Sequence, residues 1–78
     1  MIKEHDRVIL REAIEEYGLE PGDIGAVVYV HGAGEAFEVE FVTLEGTTAA
    51  VLELESHQVR AAAAREIPHA RPLSTAAY

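Results

Sequence analysis

The chain has 78 residues, with 14 Asp and Glu against 6 Lys and Arg, a formal net charge of −8 at pH 7, and no cysteine. That length leaves room for one small core. The missing cysteines exclude disulfide scaffolds, thiolate metal sites and thiol nucleophiles, and the acidic balance argues against phosphate-backbone binding, whose affinity comes from Lys and Arg displacing counterions. No apolar run approaches the ~18 residues of a membrane span. The opening Met1-Ile2-Lys3-Glu4-His5-Asp6 is no signal peptide, so the expectation is a cytoplasmic protein with no membrane contact.

In chain order, Arg7-Val8-Ile9-Leu10 is a short apolar run that reads as a first strand. Arg11 to Asp23 follows as a long ordered loop; Ala13, Ile14 and Tyr17 have helical spacing, but so few residues support only a single helical turn. Ile24 to His31 is rich in β-branched and aromatic residues and reads as a second strand. Gly32-Ala33-Gly34-Glu35 supplies the positive φ of a tight hairpin. The next strand, Ala36 to Thr43, alternates strictly, with Phe37, Val39 and Phe41 on one face and Glu38 and Glu40 on the other. After Leu44-Glu45-Gly46, strand character resumes over Thr47 to Leu54. Glu55 to Gln58 suits one 3₁₀ turn, and Val59-Arg60 begins a brief closing strand. Pro68 and Pro72 stop any regular element beyond, leaving an extended tail that docks through Ile67 and Leu73 and frays from about Ser74.

These elements predict an all-β protein, an SH3-like small barrel of about five short antiparallel strands over residues 1–60, with an extended, partly docked C-terminal tail over 61–78. Placing the first and last strands beside the three-stranded meander removes most unpaired edges. The expected core is Val8, Leu10, Leu19, Ile24, Val28, Val30, Phe37, Val39, Phe41, Leu52, Leu54 and Val59.

Three stretches carry a family likeness: Asp6-Arg7-Val8-Ile9-Leu10; Tyr17-Gly18-Leu19-Glu20-Pro21-Gly22-Asp23-Ile24-Gly25-Ala26-Val27-Val28; and Phe37-Glu38-Val39-Glu40-Phe41. Together they resemble the small bacterial proteins grouped as the DUF4926 family, over about Met1 to Arg60. The resemblance implies an SH3-like architecture and no reaction. Gly22-Asp23-Ile24-Gly25-Ala26-Val27 is also distantly similar to the turn and strand of KOW-type domains, which bind RNA and are usually basic. The motif also has a purely structural reading: Gly18 and Gly22 make chain reversals, Asp23 bonds nearby N–H groups in an Asx-type turn, and Gly25 sits where a strand bends or a neighbour comes close. A phosphate cradle needs a helix start behind its glycines, and here a strand follows.

No catalytic constellation emerges. Ser56 and His57 are neighbours on a turn and lack a nucleophile elbow, and the exposed pairs Glu38/Glu40 and Glu53/Glu55 lack the contrasting environments that separate an acid from a base. His5, His31, His57 and His69 have no metal-ligand spacing. Glu12, Glu15, Glu16, Glu20 and Asp23 concentrate five carboxylates in one loop; they are weak candidates for a divalent cation, with solvated repulsion the simpler reading. No cofactor is expected.

Charge is the most informative feature. Residues 1–55 hold thirteen acids against Lys3, Arg7 and Arg11, a balance of −10, whereas residues 56–78 hold Arg60, Arg65 and Arg71 against Glu66, a balance of +2. Such a field steers basic partners toward the body, although net charge also serves solubility alone. Val27, Tyr29 and Val42 are expected on the solvent face with Glu38 and Glu40, forming an interaction surface. The expected function is therefore a non-catalytic, acidic protein-interaction module, an antitoxin-like, immunity-like or scaffolding partner of a more basic protein. The tail could join a second copy into a homo-oligomer. Alternatives are a KOW-like nucleic-acid-associated domain and a weak cation binder.

Overall fold

The computed structural model describes residues 1–73. It contains five strands, β1 (Arg7–Leu10), β2 (Ile24–His31), β3 (Ala36–Val42), β4 (Thr48–Glu55) and β5 (Val59–Ala61), and two 3₁₀ turns, Glu15–Tyr17 and Ser56–Gln58. Every neighbouring pair is antiparallel, in the order β4-β3-β2-β1-β5. The all-β class, the meander and the second 3₁₀ turn thus follow the sequence expectation. The loop before β2 holds one 3₁₀ turn, closed by reciprocal backbone bonds between Ile14 and Leu19 and ended by Gly18 at φ 71°. Among the described residues β4 and β5 remain unpaired edges, so the sheet is open and does not close as a barrel.

The sheet is nonetheless far from flat. β4 and β5 occupy opposite edges, yet only Ser56–Gln58 joins them. Four inter-strand gaps in a flat sheet would separate the edges by about 19 Å. Four residue steps reach at most ~14 Å, and less in a 3₁₀ turn. The register widens the mismatch: Glu55 lies level with Ala36 and His31 at one end of β2, whereas Leu10, which pairs with Val59, lies beyond Ile24 at the other. β2 must therefore bend, so that its first half serves β1 and β5 and its second half serves β3 and β4.

A β-bulge between Val27 and Tyr29 marks the bend. Val27 pairs with Val39 on the inner face, Tyr29 with Glu38 on the outer face, and Val30 with Phe37 on the inner face again. One unpaired residue, Val28, reverses the parity of the strand. This corrects three expectations. Val27, expected outside, is fully buried, whereas Ile24 and Val28, expected in the core, are 36% and 41% exposed. Val30 and Leu52 are half-buried against the core. The buried cluster is Val8, Leu10, Leu19, Val27, Phe37, Val39, Phe41, Ala50, Leu54 and Val59. Ile9 is buried on the opposite face of β1.

Gly25 explains how β2 and β3 approach so closely. A Cβ there would run into the Val39 side chain and lie 3.0 Å from Phe41 Cε1 and 3.1 Å from the Glu40 carbonyl oxygen. The N-terminal segment completes β2: Val27 N–H donates to the Asp6 carbonyl at 2.9 Å, and His5 N–H donates to the Val27 carbonyl at 2.7 Å. That contact follows a Lys3–Asp6 turn with His5 at φ 75°, a turn the composition does not announce.

The tail departs from expectation in its anchor. Ile67 is 90% exposed and docks nothing, whereas Leu73 is half-buried. The fraying expected from Ser74 lies outside the described residues.

Two substitutions test this arrangement. Gly25→Ala is expected to cost about 1–3 kcal/mol by overpacking against β3, read by urea denaturation; a change under about 0.5 kcal/mol would contradict the close approach. Val27→Thr is expected to lose about 1–3 kcal/mol by burying a hydroxyl, while Val28→Thr stays within about 0.5 kcal/mol. The opposite ranking would place the bulge wrongly.

Candidate functional site

Two places on the molecule gather polar and apolar side chains. The first is the outer face of β2, β3 and β4. Its cross-strand rows are Tyr29–Glu38–Glu53 and Ala26–Glu40–Val51. Tyr29 is 50% and Val51 51% exposed, with Val42 at the edge of the face. The Tyr29 and His31 rings meet edge to face with centroids 4.8 Å apart, and His31 Nε2 lies 3.0 Å from Glu38 Oε2. Thr48 Oγ1 donates to Glu40 Oε2 at 2.6 Å. Of the expected interaction residues, Tyr29, Glu38, Glu40 and Val42 lie on this face; Val27 does not, because the bulge turns it inward.

The second place is where the tail meets the loop before β2. Glu20-Pro21-Gly22-Asp23 is a β-turn with proline second and a positive-φ glycine third, closed by Asp23 N–H donating to the Glu20 carbonyl at 3.1 Å. Asp23 Oδ2 in turn accepts the Glu20 N–H at 2.8 Å, a bond to a nearby backbone N–H as the sequence suggests, but reaching three residues back where an Asx turn reaches two residues on. Leu10 fixes the turn from below, donating to the Asp23 carbonyl and accepting from Gly22 N–H, both at 2.8 Å. The carboxylate thus held meets the fork of Arg71: Nε donates to Oδ1 at 2.9 Å and Nη2 to Oδ2 at 2.5 Å. Nη2 also donates to the Gly18 carbonyl at 2.8 Å, and Glu20 Oε1 lies 3.6 Å from Nε. A planar guanidinium suits such a bidentate seat as an ammonium does not. The Asp23 hydrogen bonds hold the Arg71 guanidinium above its ordinary pKa.

Beside this clamp lies an open cleft of about 750 Å³, with Leu19, Ile24, Phe41 and Val42 among its lining residues and Pro68, Arg71 and Leu73 contributed by the tail. Nothing in the spacing of Arg71 announces its partner, which is 48 residues away; only the cationic balance of the tail against the acidic loop hints at the contact.

The remaining loop carboxylates do not converge. Glu12 Oε2 accepts from Gln58 Nε2 at 3.0 Å, Glu15 and Glu16 are exposed on the 3₁₀ turn, and Glu20 and Asp23 face Arg71. Among the described residues no three His, Asp or Glu side chains are grouped as a metal site, and no helix is long and apolar enough to cross a membrane.

The turn preceding the clamp carries its own ion pair. Arg60 Nη1 and Nη2 donate to Glu66 Oε1 and Oε2 at 2.9 and 2.6 Å, and Ala63 N–H adds a bond to Oε1 at 2.7 Å. These bonds, Arg60 first, hold the Glu66 carboxyl down to about 2, and the same pairing raises Arg60.

Residues 4–61, from the N-terminal turn to the end of β5, match the family model described as Domain of unknown function (DUF4926). The chain belongs to this family. No curated protein and no solved structure matches it. The DUF4926 region includes Gly18, Glu20 and Asp23, the seat of the clamp, and ends before Arg71.

The Glu66 carboxyl is expected to titrate by NMR with a midpoint near 2. Because its folded value is depressed, its contribution to the turn is complete above the ordinary 4.5 and is lost as pH falls toward 2. Arg60→Ala should return the midpoint toward 4.5; an unchanged midpoint would remove Arg60 as the cause.

Proposed function

We propose that this DUF4926 chain is a non-catalytic protein-interaction module of the cytoplasm, which receives a basic face of a partner protein on the outer surface of β2, β3 and β4, in the manner of an antitoxin, immunity or scaffolding protein. The observation that carries this reading is the row of cross-strand neighbours on that face, where Tyr29 and Val51 stand half-exposed among Glu38, Glu40 and Glu53. An aromatic ring set among carboxylates suits a partner that brings Lys or Arg beside apolar side chains, since aromatic anchors supply contact area and charges steer the approach. The net charge of −8 favours a basic protein over RNA.

The same reading takes the fold as an SH3-like small barrel. The strand order with β1 between β2 and β5, the coil forced by the three-residue link and the bulge in β2 all support it. The KOW-like and cation-binding alternatives have no comparable support, because the charge opposes the one and the loop carboxylates face Arg71 or stand apart in the other.

The test is affinity capture from the source cell at low salt and at ~300 mM salt. A basic protein is expected to bind the unaltered chain, weaken with salt, and be lost by at least tenfold with Tyr29→Ala combined with Glu38→Lys and Glu40→Lys. Capture of no protein, capture of RNA alone, or binding indifferent to the triple change would overturn the proposal.

A further inference from the structure

The tail is seated on the body as a peptide ligand would be. Alternation carries it: Ala70 and Pro72 are exposed while Arg71 and Leu73 are half-buried, an extended two-residue period. Pro72 keeps Arg71 out of the helical region, and Pro68 does the same for Ile67. Among the described residues, the backbone of 67–73 makes no hydrogen bond to any strand. The contacts that hold it are side-chain ones: the Arg71 fork on Asp23 and the Gly18 carbonyl, and Leu73 at the cleft. A segment held by one guanidinium and one apolar side chain can be exchanged for another that carries the same two groups.

We infer that the Gly18–Asp23 turn and the adjoining cleft form a peptide-binding site for an extended Arg-Pro-apolar segment of a partner protein, and that the chain's own residues 67–73 occupy this site in cis as a displaceable strap. The seat is built for this chemistry. The Asp23 carboxylate is oriented by the Glu20 N–H on one oxygen, leaving both oxygens able to accept a guanidinium fork. The Gly18 carbonyl accepts a third guanidinium N–H. Leu73, the residue two positions on, lines the same open cleft as Leu19, Ile24 and Phe41. The Asp23 seat lies at the opposite end of β2 from Tyr29, and although Val42 borders both the cleft and the outer face, substitutions at Asp23 and at Tyr29 test the two separately. Competition is the expected behaviour: a tethered strap acts at an effective concentration on the order of millimolar, and the affinity seen by an incoming segment falls by the fraction of time the seat is free.

The experiment uses the full chain and a capped synthetic peptide with the sequence of residues 66–73, followed by NMR. Arg71→Ala should release the strap and bind the peptide at least tenfold more tightly than the unaltered chain does, with shifts at the Gly18, Leu19 and Asp23 amides. Adding Asp23→Asn to that variant, or replacing the arginine of the peptide with alanine, should weaken binding at least tenfold. Leu73→Asp provides a second way of opening the seat should Arg71→Ala disturb folding. Equal affinity for the unaltered and opened chains, no binding by a folded opened chain, or binding indifferent to Asp23 would each overturn the inference. A dimer of the unaltered chain in light scattering that Arg71→Ala dissolves would overturn it as well, making the tail of a second copy the true occupant.

Discussion

The coil of the sheet depends on one constraint, that three residues connect strands lying at opposite edges. No flat five-stranded sheet can meet it, so β2 has to serve two halves of the molecule that face different ways. The bulge at Val28 and the bare Cα of Gly25 let it do so, the first by resetting which residues point inward and the second by letting β3 side chains press against the β2 backbone. Phe37, Val39 and Phe41 then join Val8, Leu10 and Val59 in one buried cluster. Burial of these side chains is the main term holding a domain of this size together.

How far the sequence reveals this depends on the element. β3 was legible because every second residue is Phe or Val and the residues between are Glu, a pattern with only one sensible orientation. β4 and the turn before β5 followed from similar signals. β2 was legible as a strand but not in its facing, because Val27-Val28-Tyr29-Val30 is apolar throughout and carries no alternation to betray a reversal. The tail anchor was hidden for a different reason. Ile67 and Leu73 both suggest themselves as docking residues, yet Ile67 stands 90% exposed, while Arg71 meets a carboxylate already oriented by its own turn. A contact between residues so distant in sequence leaves no local trace. On the outer face, Glu38, Glu40 and Val42 could be read from the alternation of β3, Tyr29 lies outward beyond the bulge, and Val27 failed with the parity of β2.

The charge division seen in the sequence acquires a structural meaning here. An acidic body and a cationic tail are complementary surfaces of one molecule, and the first basic group the body receives is its own. Two of the three arginines of residues 56–78 are paired, Arg71 with the loop before β2 and Arg60, in β5, with Glu66 in the turn that follows. The two pairs differ in kind. Arg60 and Glu66 are local and solvent-facing, so they shape a turn and contribute little else. Arg71 and Asp23 are half-buried and close a long loop between distant segments, so they decide where the tail lies.

Strand β4, one of the two open edges among the described residues, has a consequence of its own. Its free backbone groups could template another chain, and Glu53 and Glu55 are the charges standing along that border. Such charges are a common guard against sheets joining edge to edge.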